Sequence, residues 1–591
     1  MKKLLSLVLV LVMMLGSVSV LSSCGAPEDD GAQISVYLGS GVFDLDPSDY
    51  YVSDNAAQLM SLMYEPLFRL DEDGDLECAA ADDYEVDEEK RLITVTLRET
   101  YWSDGNRVKA EDFVYAWRDV ILSAGNANPA AALLYDIENA LEVKNGAPIN
   151  DLGVVPRVYD LEITYREGAD YEQLLRNLAS VATAPVRQDV VNLAEGHWSK
   201  SSETIVTNGP FMVKSLSYAT DEDSTAGALV LERNVGFHQP KDTEDYDDEV
   251  IPYRITTQFT VGDKTVDVDY DTLVNNTVFY LGDASLAERA AHKGDALVGD
   301  LASTYTYVFN TNNPLFQNKD VRYALSIALD RAKMIEAITF GKAATGFLPD
   351  FSTATLGDAQ NLLGSGADMA KAQQLIDGAN ITVPMEFTLT VSSDEESVAM
   401  AALAAAAWSQ LGFTVTVNEV DIVKSTISDK VANAEITVYD NAVQYYVKGA
   451  AEYGYYEDFD VIGFDLQTYS DDGFVALSQF SSAMNGNGVD YVTEYNKVDR
   501  RATLGGWSSA AYDKLIEEAY ETTDEDVKAE KLRQAEKLLV EEAPVIPVVF
   551  NQSFAFVSGE LSDVEIDGFG NFVLTQAELK NYHNYLPEEE K

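Results

Sequence analysis

Strand and helix signals alternate along this chain with no fixed period, which excludes a repeat solenoid and requires a mixed α/β core. Leu92–Leu97 alternates apolar and polar residues as a half-buried strand does. Leu67–Leu70 reads as a short strand running into an Asp71–Asp75 turn. Asp54 is placed to cap a helix ending at Met63, with Leu59, Leu62 and Met63 at helical spacing and Tyr64-Glu65-Pro66 stopping it. Ala110-Glu111-Asp112 opens another helix, whose apolar face is Phe113, Trp117, Val120 and Ile121. Val321 to Ile338 predicts one continuous helix with Val321, Leu325, Ala328, Leu329 and Ile335 on a single side. Thr523 and Asp526 form a capping-box pattern ahead of Leu532, Ala535, Leu538 and Leu539. Pro544 ends that helix, and Val545–Phe550 reads as a buried strand interrupted by Pro547. The alanine-rich run Ala399–Ala407, closing on Trp408 and Leu411, predicts a tightly packed helix. With 591 residues, the chain exceeds what one hydrophobic core supports, so at least two lobes are expected.

The N-terminus says where those lobes work. Lys2 and Lys3 precede an apolar run from Leu4 to Leu15, and Ser22 and Ser23 precede Cys24. A basic start, an apolar middle and small residues before a cut site make a secretory signal; an uncleaved anchor over Leu4 to Leu21 is the alternative. Leu21-Ser22-Ser23-Cys24 resembles the bacterial lipobox. That resemblance implies a signal over residues 1–23, an acylated Cys24, and a tether over 24–33 on the extracytoplasmic face of the cell membrane. Cys78 is then the one remaining cysteine, which excludes a disulfide scaffold. A net charge of −58 excludes a nucleic-acid partner, since phosphate binding needs a basic footprint. The charge fits either a surface that attracts cations or a solvated exterior suited to salty or acidic surroundings.

No sequence pattern supports catalysis. The chain has no Gly-x-Ser-x-Gly elbow, Walker loop or His-Glu-x-x-His pair. Its four histidines (His197, His238, His292 and His583) lack metal-ligand spacing, so neither a metal nor another cofactor is expected. Adjacent acids such as Asp247-Asp248 and Asp471-Asp472 arise by chance among 99 acidic residues.

Five blocks carry a family resemblance. Tyr64-Glu65-Pro66-Leu67-Phe68 comes first, then Trp102-Ser103-Asp104-Gly105 five residues before Ala110-Glu111-Asp112-Phe113. Asn208-Gly209-Pro210-Phe211 follows, then Phe309-Asn310-Thr311 with Val321 to Arg331, and finally Ala535-Glu536 through Pro544 to Pro547. In this order they resemble the extracellular solute-binding proteins of oligopeptide and dipeptide ABC transporters (family 5 type). The resemblance implies a two-lobed, periplasmic-binding-protein-like α/β fold with mixed sheets, a ligand cleft between the lobes, and an extra domain. It places lobe I at 34–70, 200–300 and 544–591, the extra domain at 71–199, and lobe II at 301–543. It further implies a monomer that captures a small solute or peptide and hands it to ABC permease subunits, touching the membrane through lipidated Cys24 only. Capture of another solute, such as an oligosaccharide, a metal chelate or an amine-blocked peptide, and reception of a peptide signal are the alternatives.

Sealing a peptide in a cleft takes its termini and amides out of water, so each needs a partner. Strand edges can serve the amides, a carboxylate the amino terminus, and aromatic walls the side chains. The resemblance places that site around Phe464, Asp465, Gln467, Tyr469, Asp471 and Asp472, with Phe43 after the first strand and Trp507 from a loop. Peptide binders read Gly-Trp-x-x-Asp, with the aspartate holding the ligand ammonium, whereas this chain reads Gly463-Phe464-Asp465-Leu466-Gln467. Gln467 cannot neutralise a buried ammonium. Asp465, Asp471 and Asp472 are the candidates to take over, or the ligand lacks a free amino terminus. Tyr445, Tyr446, Tyr453, Tyr455 and Tyr456 are expected at the cleft or in the packing around it, and Trp102, Trp117 and Trp408 in the core.

Overall fold

The computed structural model describes residues 31–586, apart from 41–44, 49–55, 125–126, 194–197, 219–225, 239–248, 261–267, 357–359, 421–458, 487–491, 494–495 and 498–502. Cys24, Phe43, Asp54, Asp247, Asp248 and the five tyrosines between 445 and 456 lie outside the described residues.

An eleven-stranded mixed sheet organises the chain from Ala32 onward. Its strands are β1 (Gln33–Ser40), β2 (Phe211–Tyr218), β3 (Ala226–Arg233), β4 (Arg254–Thr260), β5 (Tyr280–Leu281) and β6 (Ala296–Phe309). They continue as β7 (Glu386–Ser392), β8 (Thr414–Val420), β9 (Val461–Gln467) and β10 (Val545–Val557). In space the order is β8-β7-β9-β6-β10-β5-β1-β4-β3-β2, with Lys342–Ala343 pairing to β10 off this path. The two longest strands, β6 and β10, therefore stand at the centre and belong to both halves of the sheet. Their antiparallel register shifts between Asp300 and Thr304, and again between Tyr305 and Thr306, opposite Pro547. Proline cannot donate to a ladder, so a bulge is where a central strand can hold one. The buried strand begins at Val545 as its composition predicts, and it runs on to Val557.

A second, four-stranded antiparallel sheet runs Ala81–Asp87, Leu92–Leu97, Asp160–Thr164, Val154–Pro156. Ile93, Val95, Trp102, Phe113 and Trp117 join one apolar cluster beneath it that reaches β1, β3 and β4. A second cluster lies under β7 and the first half of β10, built on Trp408, Phe387, Leu325 and Val548. A smaller third one, with Tyr37, Phe340, Phe554 and Phe556, gathers residues from both halves of the main sheet.

The sequence blocks meet in space as structural knots. Trp102 Nε1 donates to the Asp112 carboxylate (3.0 Å), which also accepts from the Lys109 backbone (3.0 Å) at the helix start. That fixes the spacing between Trp-Ser-Asp-Gly and Ala-Glu-Asp. Asn208 Nδ2 donates to the Glu65 carbonyl (2.8 Å), and Asn208 Oδ1 accepts from the Glu65 backbone N–H (3.1 Å). A Cβ at Gly209 would lie 2.5 Å from the backbone of Met63, so only glycine permits that approach. Farther along, the Arg331 guanidinium donates to the carbonyls of Pro547 (2.8 Å) and Ser326 (3.2 Å). Arg322 donates to the Phe316 carbonyl (2.7 Å) and, at the end of the Glu525–Glu542 helix, to the carbonyls of Glu542 (3.0 Å) and Ala543 (3.2 Å).

Two local expectations change. The helix predicted from Val321 to Ile338 is two, Lys319–Ile327 and Arg331–Ile338. Asp330 leaves helical geometry and accepts from the Lys333 backbone (3.3 Å), so a cap replaces continuation. The last long helix is capped by Asp524, whose carboxylate accepts from Val527 N–H (3.1 Å), in place of the Thr523–Asp526 box.

Candidate functional site

Where β6 and β10 lose register, Leu301, Ala302, Ser303 and Asn551 face a cavity of about 730 Å³. Bulges bend a strand pair and re-aim its side chains. Here they open the centre of the sheet. One side of the cavity is the Ala56–Met63 helix, with Gln58 and Ser61, together with Tyr280, Asp283 and Arg289. The other is the β6–β9 pair, with Tyr305, Asp465 and Gln467, and the start of the Glu395–Gln410 helix, with Asp394, Glu396 and Ser397. Residues 565–576 close it from the C-terminal side.

Strand alternation decides what β9 contributes. Ile462, Phe464 and Leu466 point into the largest apolar cluster, and Val461 points the other way into the second. Asp465 and Gln467 continue the Val461 face beyond the Glu395–Gln410 helix and so reach the cavity wall. Asp465 Oδ1 accepts from Asn551 Nδ2 (2.5 Å), and the same amide donates to Ser303 Oγ (2.9 Å). The Gln467 side chain stands at the wall while its carbonyl accepts from Gln479 Nε2 (2.8 Å).

Arg289 lies between two carboxylates, 2.9 Å from Asp283 and 2.5 Å from Glu396, and its Nε donates to the Ala284 carbonyl (2.8 Å). Leu286 N–H donates to Glu395 (3.0 Å) beside it. Gly39, at φ +79°, makes room for this arrangement: a Cβ there would lie 2.5 Å from Asp283 Oδ2. Desolvation by the surrounding walls raises the Asp394 carboxyl and pushes Glu396 up to about 7, with Arg289 opposing the shift at Glu396. Burial likewise pushes Asp567 up to about 6, although it accepts from the backbone of Phe569 (2.9 Å) and Asn571 (2.8 Å). The wall is thus rich in acceptors.

Of the residues singled out in the sequence, Asp465 and Gln467 come together at the cavity. Phe464 lies behind them in the core, and Tyr469, at φ +63°, is buried just past the strand end. Asp471 is ion-paired with Arg176 and accepts from Gln173 Nε2 (2.8 Å), away from the cavity lining. Asp472 caps the Gly473–Ser478 helix by accepting from Phe474 N–H (2.9 Å), and its burial raises its pKa. Trp507 is buried against Tyr512, with Nε1 donating to Glu542 (3.1 Å). Sequence reasoning missed Tyr305, Asp394, Glu396, Arg289 and Asn551. Only Asp394, in Ser393-Asp394-Glu395-Glu396, carried a readable signal, that of a helix cap.

Comparison with known proteins gives a consistent setting. Residues 75–485 match a family model described as bacterial extracellular solute-binding proteins, family 5 middle. The dipeptide-binding protein DppE of Bacillus subtilis (strain 168) is 26% identical over 509 residues, covering 83% of this chain and 82% of the relative. A probable deoxycholate-binding periplasmic protein, YgiS of Escherichia coli (strain K12), is 25% identical over 536 residues, covering 86% of this chain and 85% of its own. Among solved structures, the peptide-binding pheromone receptor PrgZ superposes with a TM-score of 0.74 at 21% identity, over 93% of this chain and all (100%) of that one.

Proposed function

The chain belongs to the bacterial extracellular solute-binding proteins of family 5, and from that premise we propose that it captures a peptide in its central cavity as the substrate-binding component of an ABC importer. One observation carries this reading. The cavity opens where the two central strands part, and both halves of the sheet wall it. About 730 Å³ suits a small extended ligand. Polar groups on several sides, among them Ser61, Ser303, Gln467, Asn551 and Gln552, can pair with amides that closure removes from water. Capture needs no covalent step, and the relatives are binding proteins rather than enzymes.

The finer parts of the reading rest on the sequence. Cys24 is the lipid anchor, residues 71–199 are an inserted domain between segments of lobe I, and a monomer delivers its solute to membrane permease subunits. Replacing Cys24 with Ala is expected to release the protein into the medium or leave an uncleaved precursor. Normal lipidation of that variant would remove the anchor assignment.

A thermal-shift screen tests capture. Pools of free-amine peptides, N-acetylated peptides, oligosaccharides, metal chelates and deoxycholate are compared, and a ligand at 100 times its Kd adds about 2.7 kcal/mol of stability. A shift with peptide pools is expected. Neutral Gln467 and the deoxycholate-binding relative favour a second reading, a non-peptide solute, and a shift confined to the other pools would establish it in place of the first.

A further inference from the structure

Resting on the capture reading, the acids that stand beside β9 in the sequence but away from the cavity have a use of their own. β9 ends at Gln467, and the chain then turns sharply: Tyr469 holds φ +63° and is buried. A side chain of this bulk seldom adopts left-handed backbone and persists there only where its surroundings over-determine it. The constraints lie on both sides of the turn. Before it, Thr468 N–H donates to the Ala302 carbonyl (2.7 Å), and the Thr468 hydroxyl pairs with Ser352 Oγ (2.6 Å). Ser352 Oγ also donates to the Ser470 carbonyl (2.9 Å), so it spans the turn.

After the turn come Ser470, Asp471 and Asp472, all buried. Their partners are Gln173, Arg176 and Asn177, which share one face of the Tyr171–Asn177 helix at spacings of three and four. Gln173 Nε2 donates to Asp471 Oδ1 (2.8 Å), and the Arg176 guanidinium pairs with Asp471 Oδ2, its Nε at 2.5 Å. Ser470 Oγ donates to Asn177 Oδ1 and accepts from Asp472 N–H (3.0 Å). The same seam continues with Tyr520 Oη donating to the Tyr135 carbonyl (2.9 Å) and Asn128 N–H to the Gly486 carbonyl (3.0 Å). The part of the chain that carries the four-stranded sheet is therefore bonded to the segment that follows the cavity wall.

We propose that Gln173, Arg176 and Asn177 are a brace for the ligand wall, which holds the Tyr469 turn and so sets where β9 stops and Gln467 faces the cavity. Asp471 is then a positioning residue that acts on capture through the strand before it. A seam of buried charges and amides gains little stability over an apolar one, because each group gives up water to enter it. What it supplies is a single register, since its bonds fail together when the two surfaces slide. The inserted domain thereby has a task in capture that neither lobe performs.

Two measurements on the full-length protein test the brace. Hydrogen exchange without added ligand comes first: in Arg176→Gln the amides of residues 465–472 should exchange at least about tenfold faster than in wild type, with Val545–Val557 unchanged. Unchanged exchange at 465–472 overturns the brace. Calorimetric titration with an equimolar tripeptide pool then reads capture. Well below the unfolding midpoint the folded fraction is close to one, so a loss of stability alone leaves Kd where it was. Arg176→Gln and Asp471→Asn should each weaken the pool about three- to tenfold, and the double variant no more than the weaker single, because both remove one contact. Arg176→Lys, which keeps the charge, should fall between wild type and Arg176→Gln in both readouts and serves if the latter does not fold. Wild-type affinity in the folded variants, or losses that multiply in the double variant, overturns the positioning role and leaves peptide capture standing. If wild type binds no tripeptide while exchange at 465–472 responds as expected, the peptide reading falls and the brace stands as the support of a wall for another solute.

Discussion

Glu396 is pushed up to about 7 by desolvation while Arg289 pulls the other way, which makes this one residue a source of pH-dependent stability. Between about 4.5 and 7 the folded chain keeps a proton that the unfolded chain has released. Stability therefore falls as pH rises through that window. Glu396→Gln removes the titration. The stability of wild type relative to this variant should decline across the window by about 1 kcal/mol, discounted for water reaching the cavity, and be flat outside it. Chemical denaturation of both proteins from pH 4 to 8 measures this; a flat difference would mean that Glu396 keeps its ordinary value. The same scale shows what a sequence conceals. Period-two alternation along β9 could have separated Asp465 and Gln467 from Phe464, because the apolar residues at 462, 464 and 466 mark the core face. Nothing local could show that Asp471 would be consumed by Arg176, 295 residues away in the chain.

Among elements, the blocks that mark the family were legible because each is a short run at fixed spacing, and the structure gives their physical use. Arg331 starts the second of two helices and reaches Pro547 on β10, so the opening of one half of the sheet is tied to the closing strand of the other. Arg331→Met should take the guanidinium donor from the Pro547 carbonyl in the core, while Ser326 keeps the Leu329 backbone N–H (3.3 Å), and cost about 1–3 kcal/mol. A denaturation midpoint shifted at constant slope would register that loss; an unchanged midpoint would show that water or a neighbouring group replaces the guanidinium. The broken helix and the displaced cap have a common cause. At 330 and 524 an aspartate beside a helix start outcompetes the smoother pattern around it, and a carboxylate on a backbone N–H is a local bond that apolar periodicity does not register. The cavity itself was not legible as an element. It is assembled from segments scattered between Leu38 and Gln576, which only the strand order brings together.

For the whole molecule, the contacts of Arg289 matter because they join distant parts of the chain across the cavity. Asp283 and Arg289 precede β6, whereas Glu395 and Glu396 begin the helix that covers β7 and β9. Arg289→Ala should let the two halves separate, raising the radius of gyration of the ligand-free protein in X-ray scattering and weakening ligand binding about three- to tenfold. An unchanged radius together with unchanged affinity would show that the pair is a bystander to closure.

The central position of β10 also sets a timetable. The strand that completes the sheet is made after every other strand in it, and both β5 and β6 need it as a neighbour. At about 5–20 residues per second, more than 500 residues separate β1 from β10 in synthesis, a delay of roughly half a minute to two minutes. Until then the sheet is two unfinished pieces, each with an open edge able to recruit a foreign strand. A nascent chain built this way has reason to be kept extended until Val545–Val557 arrives, and a truncation just before Val545 should yield aggregate rather than a smaller binding protein.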